Sequence, residues 1–239
     1  MSVQVAARWG VLDIEGTLTA TSQVHVVLYD YARPRLGAWI DAHSDDPVVA
    51  EAVTQVKADT GLGEQAGTAE VVAVLHGWMD ADRKATPLKT LQGLIWSDGY
   101  ARGELTTDYF ADVVPALRSW RDRGLGLAVF SSGSVAGQIA SFSNTTSGDL
   151  RGLFAHHFDT VNAGPKRERD SYEKIADGLG ATAAEIVFFS DVPAELDAAA
   201  AAGWRTVGVA RAGEPFADAD YGTHPVVSTF GDVELEVIA

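Results

Sequence analysis

The chain has 239 residues, of which 46% are hydrophobic and 21% charged, as is typical of a globular domain with a sizeable core. Its 33 acidic residues outnumber 18 lysines and arginines, and the resulting net charge of −15 argues against binding to nucleic acid or to anionic membrane surfaces. Because the chain has no cysteine, disulfides, thiolate catalysis and cysteine-ligated zinc are excluded.

The first predicted element is a short strand at Val11–Ile14, which ends at a Gly-Thr pair. The segment that follows has a different character, because apolar residues recur at helical spacing and no stretch alternates like a strand. Pro87 interrupts the longest of its helical runs. We therefore predict an all-helical insertion at residues 20–107, with the core formed by residues 1–19 and 108–239.

After the insertion, predicted helices alternate with short apolar strands. The predicted strands are LGLAVFSS, FAHHFDTV, EIVFFSD and RTVGVAR, and VELEVIA is either an edge strand or a tail. This alternation is typical of βαβ units, whose strands form a parallel sheet. The predicted fold class is therefore α/β, with a Rossmann-like parallel-sheet core and an inserted α-helical domain, the cap.

Polar residues stand where the predicted strands end, and open parallel α/β sheets bind their ligands at that edge. The loops after four of the strands carry, in chain order, Asp13 and Glu15, then Ser131, Ser132 and Gly133, then Lys166, and finally Asp191 with Glu195 one helical turn on.

These residue types suit the handling of a phosphate group. Two carboxylates from different loops, Asp13 and Asp191, can hold Mg²⁺, a hard cation that is often shared with substrate phosphates. Small residues at a helix N-terminus offer backbone N–H groups to the phosphate, and Lys166 adds a positive charge. Asp13 can then attack phosphorus as a nucleophile. Glu15 lies on the same side of the strand because side chains alternate, and it can transfer protons.

Each of these features has a plainer interpretation by itself. A single acid or serine commonly caps a turn or a helix, and a lysine is commonly a solvated surface charge. Their occurrence at four strand ends is what favours a phosphate site. Several enzyme classes are excluded by motif, because the chain has no G-x-S-x-G, no Walker A string and no G-x-G-x-x-G before a helix.

The strings LDIEGT, FSSGSVAGQ, KRERDSYEKIADGLG and FFSDVPAE together resemble the motifs of the haloacid dehalogenase-like phosphohydrolases. The resemblance covers nearly the whole chain and is weakest at residues 40–75 and in the tail. That family usually has Asp where this chain has Glu15, and Glu there resembles the enolase-phosphatase branch, the acireductone synthases of methionine salvage. Dehalogenation is disfavoured, since a departing halide needs no proton from Glu15.

The resemblance implies a role for each of the predicted site residues. One Mg²⁺ per subunit is bound by Asp13, the backbone carbonyl of Glu15 and Asp191. Asp13 is the nucleophile that forms an aspartyl-phosphate intermediate, and Glu15 is the acid/base. The substrate phosphate is bound by residues of the second and third loops, which are Ser131, Ser132, Gly133 and Lys166.

The implied substrate is 5-(methylthio)-2,3-dioxopentyl phosphate, which is enolised and then dephosphorylated to the acireductone 1,2-dihydroxy-5-(methylthio)pent-1-en-3-one. Residues of the cap must then close over the methylthio end. Helix packing is the favoured explanation for the aromatic and leucine candidates, and a solvated helix face explains the basic candidates equally well. The candidates are Trp78, Arg83, Lys84, Leu91 and Trp96.

Two alternative functions stay open at this point. One is a phosphatase of the same fold that acts on another small phosphorylated metabolite, and the other is a non-catalytic protein that binds such a metabolite. No apolar run approaches the roughly 20 residues that span a bilayer, and the first residues lack the pattern of a signal peptide. We therefore expect a cytoplasmic monomer that takes a small phosphorylated molecule and binds neither nucleic acid nor membranes.

Overall fold

The computed structural model describes residues 2–83 and 85–238. The chain divides into two compact units, a larger one that comprises the chain up to Gln23 and from Thr106 onward, and a smaller one, Val24–Leu105. The predicted assignment of residues 20–107 to a functional cap stays a prediction. Lys84, one of the candidate substrate contacts, lies outside the described residues.

The strands belong to the larger unit. In chain order they are β1 (Val3–Ala7), β2 (Trp9–Leu12), β3 (Gly126–Phe130), β4 (His156–Phe158), β5 (Ile186–Ser190), β6 (Arg205–Val209), β7 (Val226–Val227) and β8 (Val233–Val237).

The helices alternate with the strands only after the smaller unit has ended. In chain order they are α1 (Tyr29–Ala32), α2 (Leu36–Ala42), α3 (Pro47–Thr60), α4 (Thr68–Asp80), α5 (Thr86–Ala101), α6 (Val113–Asp122), α7 (Val135–Ser143), α8 (Arg169–Leu179) and α9 (Pro193–Ala201). None of the helices within residues 2–83 and 85–238 is long and apolar enough to cross a membrane.

The main sheet is parallel, with the strand order β4-β3-β2-β5-β6-β7. The chain runs outward from β2 through β3 and β4, then returns to the other side of β2 and continues through β5. The order of the strands therefore reverses beside β2, and open α/β sheets bind their ligands at such a switch point. β1 and β8 form a separate parallel pair.

Apolar clusters cover both faces of this sheet, because successive side chains of a strand point to opposite faces. Leu12 and Phe189 belong to the cluster on one face, whereas Val11 and Phe188 belong to the cluster on the other. Strands buried on both faces read as continuous apolar runs, as IVFFS of β5 does. The α/β prediction with a parallel sheet is confirmed.

The four strands predicted after the insertion are confirmed as β3 to β6, and VELEVIA contains β8, which pairs with β1. Two strands are absent from the sequence prediction. β1, VQVAA, contains a glutamine and two alanines, which are not typical of strands, and β7 has only two residues. The first predicted strand was also misplaced, since β2 ends at Leu12 and not at Ile14.

The smaller unit is helical and has its own apolar core, to which Val56, Leu75 and Leu88 contribute fully buried side chains. Asp46 caps α3 by accepting a hydrogen bond from Val48 N at 2.8 Å, as its place before a proline predicts. The predicted interruption of this helical run at Pro87 is confirmed, since α4 ends at Asp80 and α5 begins at Thr86. Pro87 lies in the first turn of α5, where its missing N–H costs no hydrogen bond.

Candidate functional site

The four polar loops meet at the carboxyl edge of the sheet, beside β2. The strands that precede them are direct neighbours in the order β4-β3-β2-β5, and Leu12 is in register with both Val129 and Phe189. Asp13 therefore leaves the sheet between the loops that carry Ser131 and Asp191. The register of the parallel strands brings residues together that are up to 178 positions apart in the chain.

Lys166 is the charged centre of the site. Its Nζ lies 2.6 Å from Asp13 Oδ1 and 2.6 Å from Glu195 Oε2, and the three side chains are buried. Burial opposes the charge on the ammonium group, but the two carboxylates outweigh burial and raise the pKa of Lys166. Ser190 Oγ donates a further hydrogen bond to Glu195 Oε2 at 3.0 Å. Lys166 is therefore charged and fixed in place.

Negative charge exceeds positive charge in this buried cluster, because Asp13, Asp191 and Glu195 face a single lysine. Burial, and then the charge of Asp13, raise the pKa of Asp191 to about 8. The same two causes raise the pKa of Glu195 to about 7. A cluster with this imbalance favours the binding of a cation.

The donor chemistry of the cluster fits a hard divalent cation, since its free ligands are carboxylate and backbone oxygens. No group of three or more His, Cys, Asp and Glu side chains that could hold a metal occurs among residues 2–83 and 85–238. The predicted Mg²⁺ set contains only two carboxylates, Asp13 and Asp191, with a backbone carbonyl as the third ligand. Such a sparse set suits Mg²⁺, which retains waters and takes substrate oxygens.

The first and fourth loops are tied together by Thr17. Its Oγ1 accepts a hydrogen bond from Asp191 N at 3.0 Å and donates to Asp191 Oδ1 at 3.4 Å. Gly16 has a φ of +76°, and a side chain there would overlap with the carboxylate of Asp191. The Gly-Thr pair after Glu15 therefore serves the close approach of the two loops, and any residue with a Cβ at position 16 would separate them.

Glu15 does not stand on a strand as the sequence predicted. β2 ends at Leu12, so the alternation of side chains cannot place Glu15 on the same side as Asp13. A tight turn determines its position, with Gly16 N donating to Thr19 O at 2.8 Å and an isolated bridge joining Glu15 to Thr19. The side chain is half-buried. Its assignment as the acid/base stays a prediction.

The second loop leads from β3 into α7. Ser131 is buried, whereas Ser132 and Gly133 are exposed. Ser131 Oγ accepts a hydrogen bond from Gly133 N at 3.3 Å, and Ser134 Oγ caps α7 by accepting from Gly137 N at 3.2 Å. The loop thus ends at the N-terminus of a helix, as expected for a phosphate-binding segment.

Several residues that hold these loops have no signal in the sequence. Tyr172 Oη donates to Lys166 O at 2.7 Å, and Tyr221 Oη donates to Asp191 O at 2.8 Å. Both tyrosines come from elements that follow the loops they hold. Glu195 was noticed only as the acid one turn after Asp191, and its contact with Lys166 depends on the fold. A spacing pattern cannot reveal such contacts.

Arg211 lies two residues after the end of β6, and the sequence analysis does not identify it as a site residue. Its Nε donates to Thr17 O at 3.0 Å, and its Nη1 lies 2.7 Å from Asp112 Oδ1. The side chain is buried against the rings of Phe110 and Phe230. This pair joins the turn after Asp13 to the start of α6.

The candidate contacts in the smaller unit fall into two groups. Trp78 and Leu91 are buried in its core, so packing accounts for both. Trp96 is half-buried and donates from Nε1 to Leu28 O at 2.8 Å, and the guanidinium of exposed Arg83 lies 4.6 Å from the centre of the Trp78 ring. Any role of these residues in substrate binding stays a prediction.

Comparison with known proteins places the chain in a family. Residues 11–203 match the family model of the haloacid dehalogenase-like hydrolases. The chain is 76% identical over 240 residues to enolase-phosphatase E1 of Saccharopolyspora erythraea, with 100% of both chains covered. It is 54% identical to enolase-phosphatase E1 of Streptomyces avermitilis, with 94% of both chains covered.

Solved structures share the same fold. The UTR4 protein of Saccharomyces cerevisiae is 29% identical and superposes with a TM-score of 0.76, covering 94% of this chain and 98% of that protein. The L-2-haloacid dehalogenase of Xanthobacter autotrophicus is 18% identical with a TM-score of 0.56, covering 95% of this chain and 96% of that one. At that identity the second likeness concerns the fold alone.

Proposed function

The chain belongs to the haloacid dehalogenase-like hydrolases, and we propose that it is a bifunctional enolase-phosphatase of methionine salvage. Its substrate is 5-(methylthio)-2,3-dioxopentyl phosphate, which it converts to 1,2-dihydroxy-5-(methylthio)pent-1-en-3-one and phosphate. Relatives that carry the name enolase-phosphatase E1 and cover the whole chain support this reaction. It is carried out by the residues at the carboxyl edge of the sheet.

One observation in the site carries the phosphatase half: the buried ammonium group of Lys166 lies 2.6 Å from Asp13 and 2.6 Å from Glu195. A buried carboxylate that is paired with a lysine can act as a nucleophile toward phosphorus. Glu195 keeps Lys166 in its charged form, and Lys166 can neutralise both the carboxylate of Asp13 and the incoming phosphate.

In the first half of phosphate transfer, an oxygen of Asp13 attacks phosphorus and the ester bond to the substrate breaks. A proton from Glu15 goes to the departing oxygen, so that the enol leaves as a neutral molecule. Ser131, Ser132 and Gly133 hold the phosphate through hydroxyl and backbone N–H groups, and Lys166 offsets the developing charge.

In the second half, water attacks the phosphorus of the aspartyl phosphate. Glu15, now deprotonated, accepts a proton from this water, and the bond between phosphorus and the Asp13 oxygen breaks. Inorganic phosphate leaves, and both carboxyl groups return to their starting states. The atoms and protons balance without any further reagent.

Mg²⁺ is the cofactor that the family implies, and Asp13, the Glu15 carbonyl and Asp191 would hold it, where it offsets negative charge on the phosphate and on the acids. Burial and then the charge of Asp13 raise the pKa of Asp191 to about 8, and a cation bound there would favour the charged carboxylate. For the enolisation half, Glu15 as a carboxylate would remove the proton from the carbon beside the carbonyl group and deliver it to the carbonyl oxygen, which gives the enol and leaves Glu15 deprotonated. Glu15 then takes up a proton from solvent before it acts as the acid in phosphate transfer, and releases that proton after phosphate has left.

The decisive experiment supplies the diketone phosphate with Mg²⁺ and follows the enol intermediate and the acireductone by ultraviolet absorbance, with phosphate release measured in parallel. An absorbance change that precedes phosphate release is expected for a bifunctional enzyme. Rapid hydrolysis of an unrelated sugar phosphate, with no reaction here, would assign the protein as a phosphatase for another metabolite.

The same assay decides whether the protein is catalytic at all. No turnover of any phosphate ester, with Asp13→Asn behaving like the wild type, would show a protein that only binds a phosphorylated metabolite. Both outcomes are separable from the enolisation result, because generic aryl phosphates require only the phosphatase half.

A further inference from the structure

The side chain of Gln138, in the second turn of α7, is buried directly beneath the loop that follows β3. Its Nε2 donates to Gly133 O at 3.0 Å and to Phe158 O at 2.9 Å. Phe158 O also accepts from Ser131 N at 3.2 Å. The amide of Gln138 therefore binds the middle of the loop directly. It also shares the Phe158 carbonyl of β4 with Ser131, the first residue of the loop.

His157 fixes the orientation of this amide. Both N–H groups of Gln138 point at carbonyl oxygens, so Oε1 is the atom that faces His157 Nδ1 at 3.1 Å. An amide turned the other way would place Oε1 against two acceptors. His157 Nδ1 must then carry a proton, and burial lowers the pKa of His157, so the ring is neutral with its proton on Nδ1.

The carbonyl that Gln138 holds belongs to the glycine of the loop, Gly133. Glycine has no Cβ, so the peptide group that follows Gly133 can rotate with little steric resistance. In a trans peptide the C=O and the next N–H point in opposite directions. While Gln138 binds Gly133 O, the N–H of Ser134 points away from the buried amide. A rotated peptide would turn a carbonyl oxygen to that side.

We propose that Gln138 is a positioning residue for phosphate binding, which holds the Gly133 carbonyl away from the bound phosphate so that the loop presents N–H groups to it. A carbonyl oxygen facing the anion would repel it, whereas N–H groups at a helix N-terminus attract it. Gln138 does not touch the phosphate itself. The inference rests on the proposed function, since it requires the loop to bind phosphate.

Asp159 fixes the next peptide group of the same loop. Its Oδ2 accepts from Val135 N at 3.0 Å, and its Oδ1 accepts from Val161 N and Asn162 N at 2.9 Å each. The peptide after Ser134 is therefore held by a carboxylate, and the peptide after Gly133 by the Gln138 amide. Two successive peptide groups are fixed at the point where the loop enters α7.

The test compares Gln138→Met, which keeps the length of the side chain and removes both donors, with the wild type. We measure Mg²⁺-dependent hydrolysis of an aryl phosphate, inhibition by inorganic phosphate, and direct binding of inorganic phosphate by calorimetry. We expect KM and the inhibition constant for phosphate to rise about tenfold. This is about the effect of losing one charge-assisted hydrogen bond from an N–H group of the loop to the phosphate. We expect kcat to change little, because the loop holds the phosphate equally in the ground and transition states.

Gln138→Glu is the second variant, and it also decides the matter if Gln138→Met does not fold. It retains the contact with His157 but places a carboxylate oxygen against the carbonyl oxygens of Gly133 and Phe158. Its KM and phosphate inhibition constant should rise at least as much as those of Gln138→Met. Phe142→Leu, one turn further along α7 and fully buried, is the matched control. It should lower the unfolding midpoint and leave phosphate binding unchanged.

Unchanged KM and phosphate binding in both Gln138 variants would overturn the inference, even if their unfolding midpoints fall. So would a loss of phosphate binding in Phe142→Leu of the same size, because general destabilisation would then explain the effect. A wild-type protein that neither hydrolyses the aryl phosphate nor binds inorganic phosphate would instead overturn the proposed function.

Discussion

The two units of the chain bury different kinds of side chain. Within the described residues, the buried carboxylates, lysine and arginine all belong to the larger unit, and they are Asp13, Asp159, Lys166, Asp191, Glu195 and Arg211. In the described part of the smaller unit, Gln92 is the buried polar side chain, and the rest of the core is aliphatic and aromatic. Burial of a charge costs free energy unless it is paired, whereas burial of apolar area stabilises.

This difference indicates what each core is for. The described core of the smaller unit has no buried charge and contributes to stability, whereas the charges at the edge of the sheet lower stability and are retained, under the proposed function, for chemistry. Substitutions in the two places should consequently separate activity from stability.

Asp13→Asn should have the largest effect on activity, a loss of at least about a thousandfold in phosphate release, because an amide is a poor nucleophile. Stability should behave differently. The change removes one of three carboxylates and leaves Lys166 paired with Glu195, so the unfolding midpoint without Mg²⁺ should stay the same or rise. Phosphate release and thermal unfolding are the two measurements. Retained activity would show that Asp13 is not the nucleophile.

Glu15→Ala should slow phosphate release from an alkyl phosphate by about 10²–10⁴-fold, the usual contribution of a general acid. Release from an aryl phosphate with a stable leaving group should slow much less, because that leaving group departs without a proton. The ratio of the two losses is the measurement. Equal losses with both substrates would contradict the assignment of Glu15 as the acid.

Lys166→Met and Leu75→Ala compare the two cores directly. Lys166→Met leaves buried carboxylates without a partner and should cost about 3–5 kcal/mol in the free energy of unfolding, together with the activity. Leu75→Ala opens a cavity in the core of the smaller unit and should cost about 2–5 kcal/mol. Aryl phosphate hydrolysis by Leu75→Ala should persist below its unfolding midpoint. Chemical denaturation and the aryl phosphate assay measure both effects.

Asp112→Asn should have the smallest effect. It should lower the free energy of unfolding by about 1.5–3 kcal/mol, which is the contribution of a hydrogen bond to a charged group. Burial tends to raise the pKa of Asp112, but hydrogen bonds from Arg211 and Phe230 N outweigh it, and the pKa is lowered. The stabilisation is therefore present above the ordinary aspartate pKa of about 4 and is lost as the pH falls through the lower value in the folded state.

The wild type should consequently lose stability more steeply than Asp112→Asn on acidification below about pH 4. Unfolding midpoints measured between neutral and acidic pH test this prediction. Parallel curves for the two proteins would show that the contact between Asp112 and Arg211 contributes nothing to stability.

The sequence by itself was sufficient for the elements and for the four polar loops. Apolar periodicity is a local property, so LGLAVF and IVFFS could be recognised as strands without knowledge of their neighbours. The residues that follow such strands were then candidates for a site, because parallel strands end at one edge. β1 and β7 have no such pattern, since β1 contains a glutamine and two alanines among its five residues and β7 has only two residues.

The pairings within the site were decided only by the tertiary structure. Which carboxylates contact Lys166, how Thr17 ties Asp191 to the first loop, and how Gln138 and Arg211 hold neighbouring segments all depend on strand register and on side chains distant in sequence. Because β2 ends at Leu12, Glu15 lies in a turn and not on a strand as the sequence predicts. Local patterns indicate that a strand is present, but hydrogen bonds and charges between distant segments determine where it ends and what its end can do.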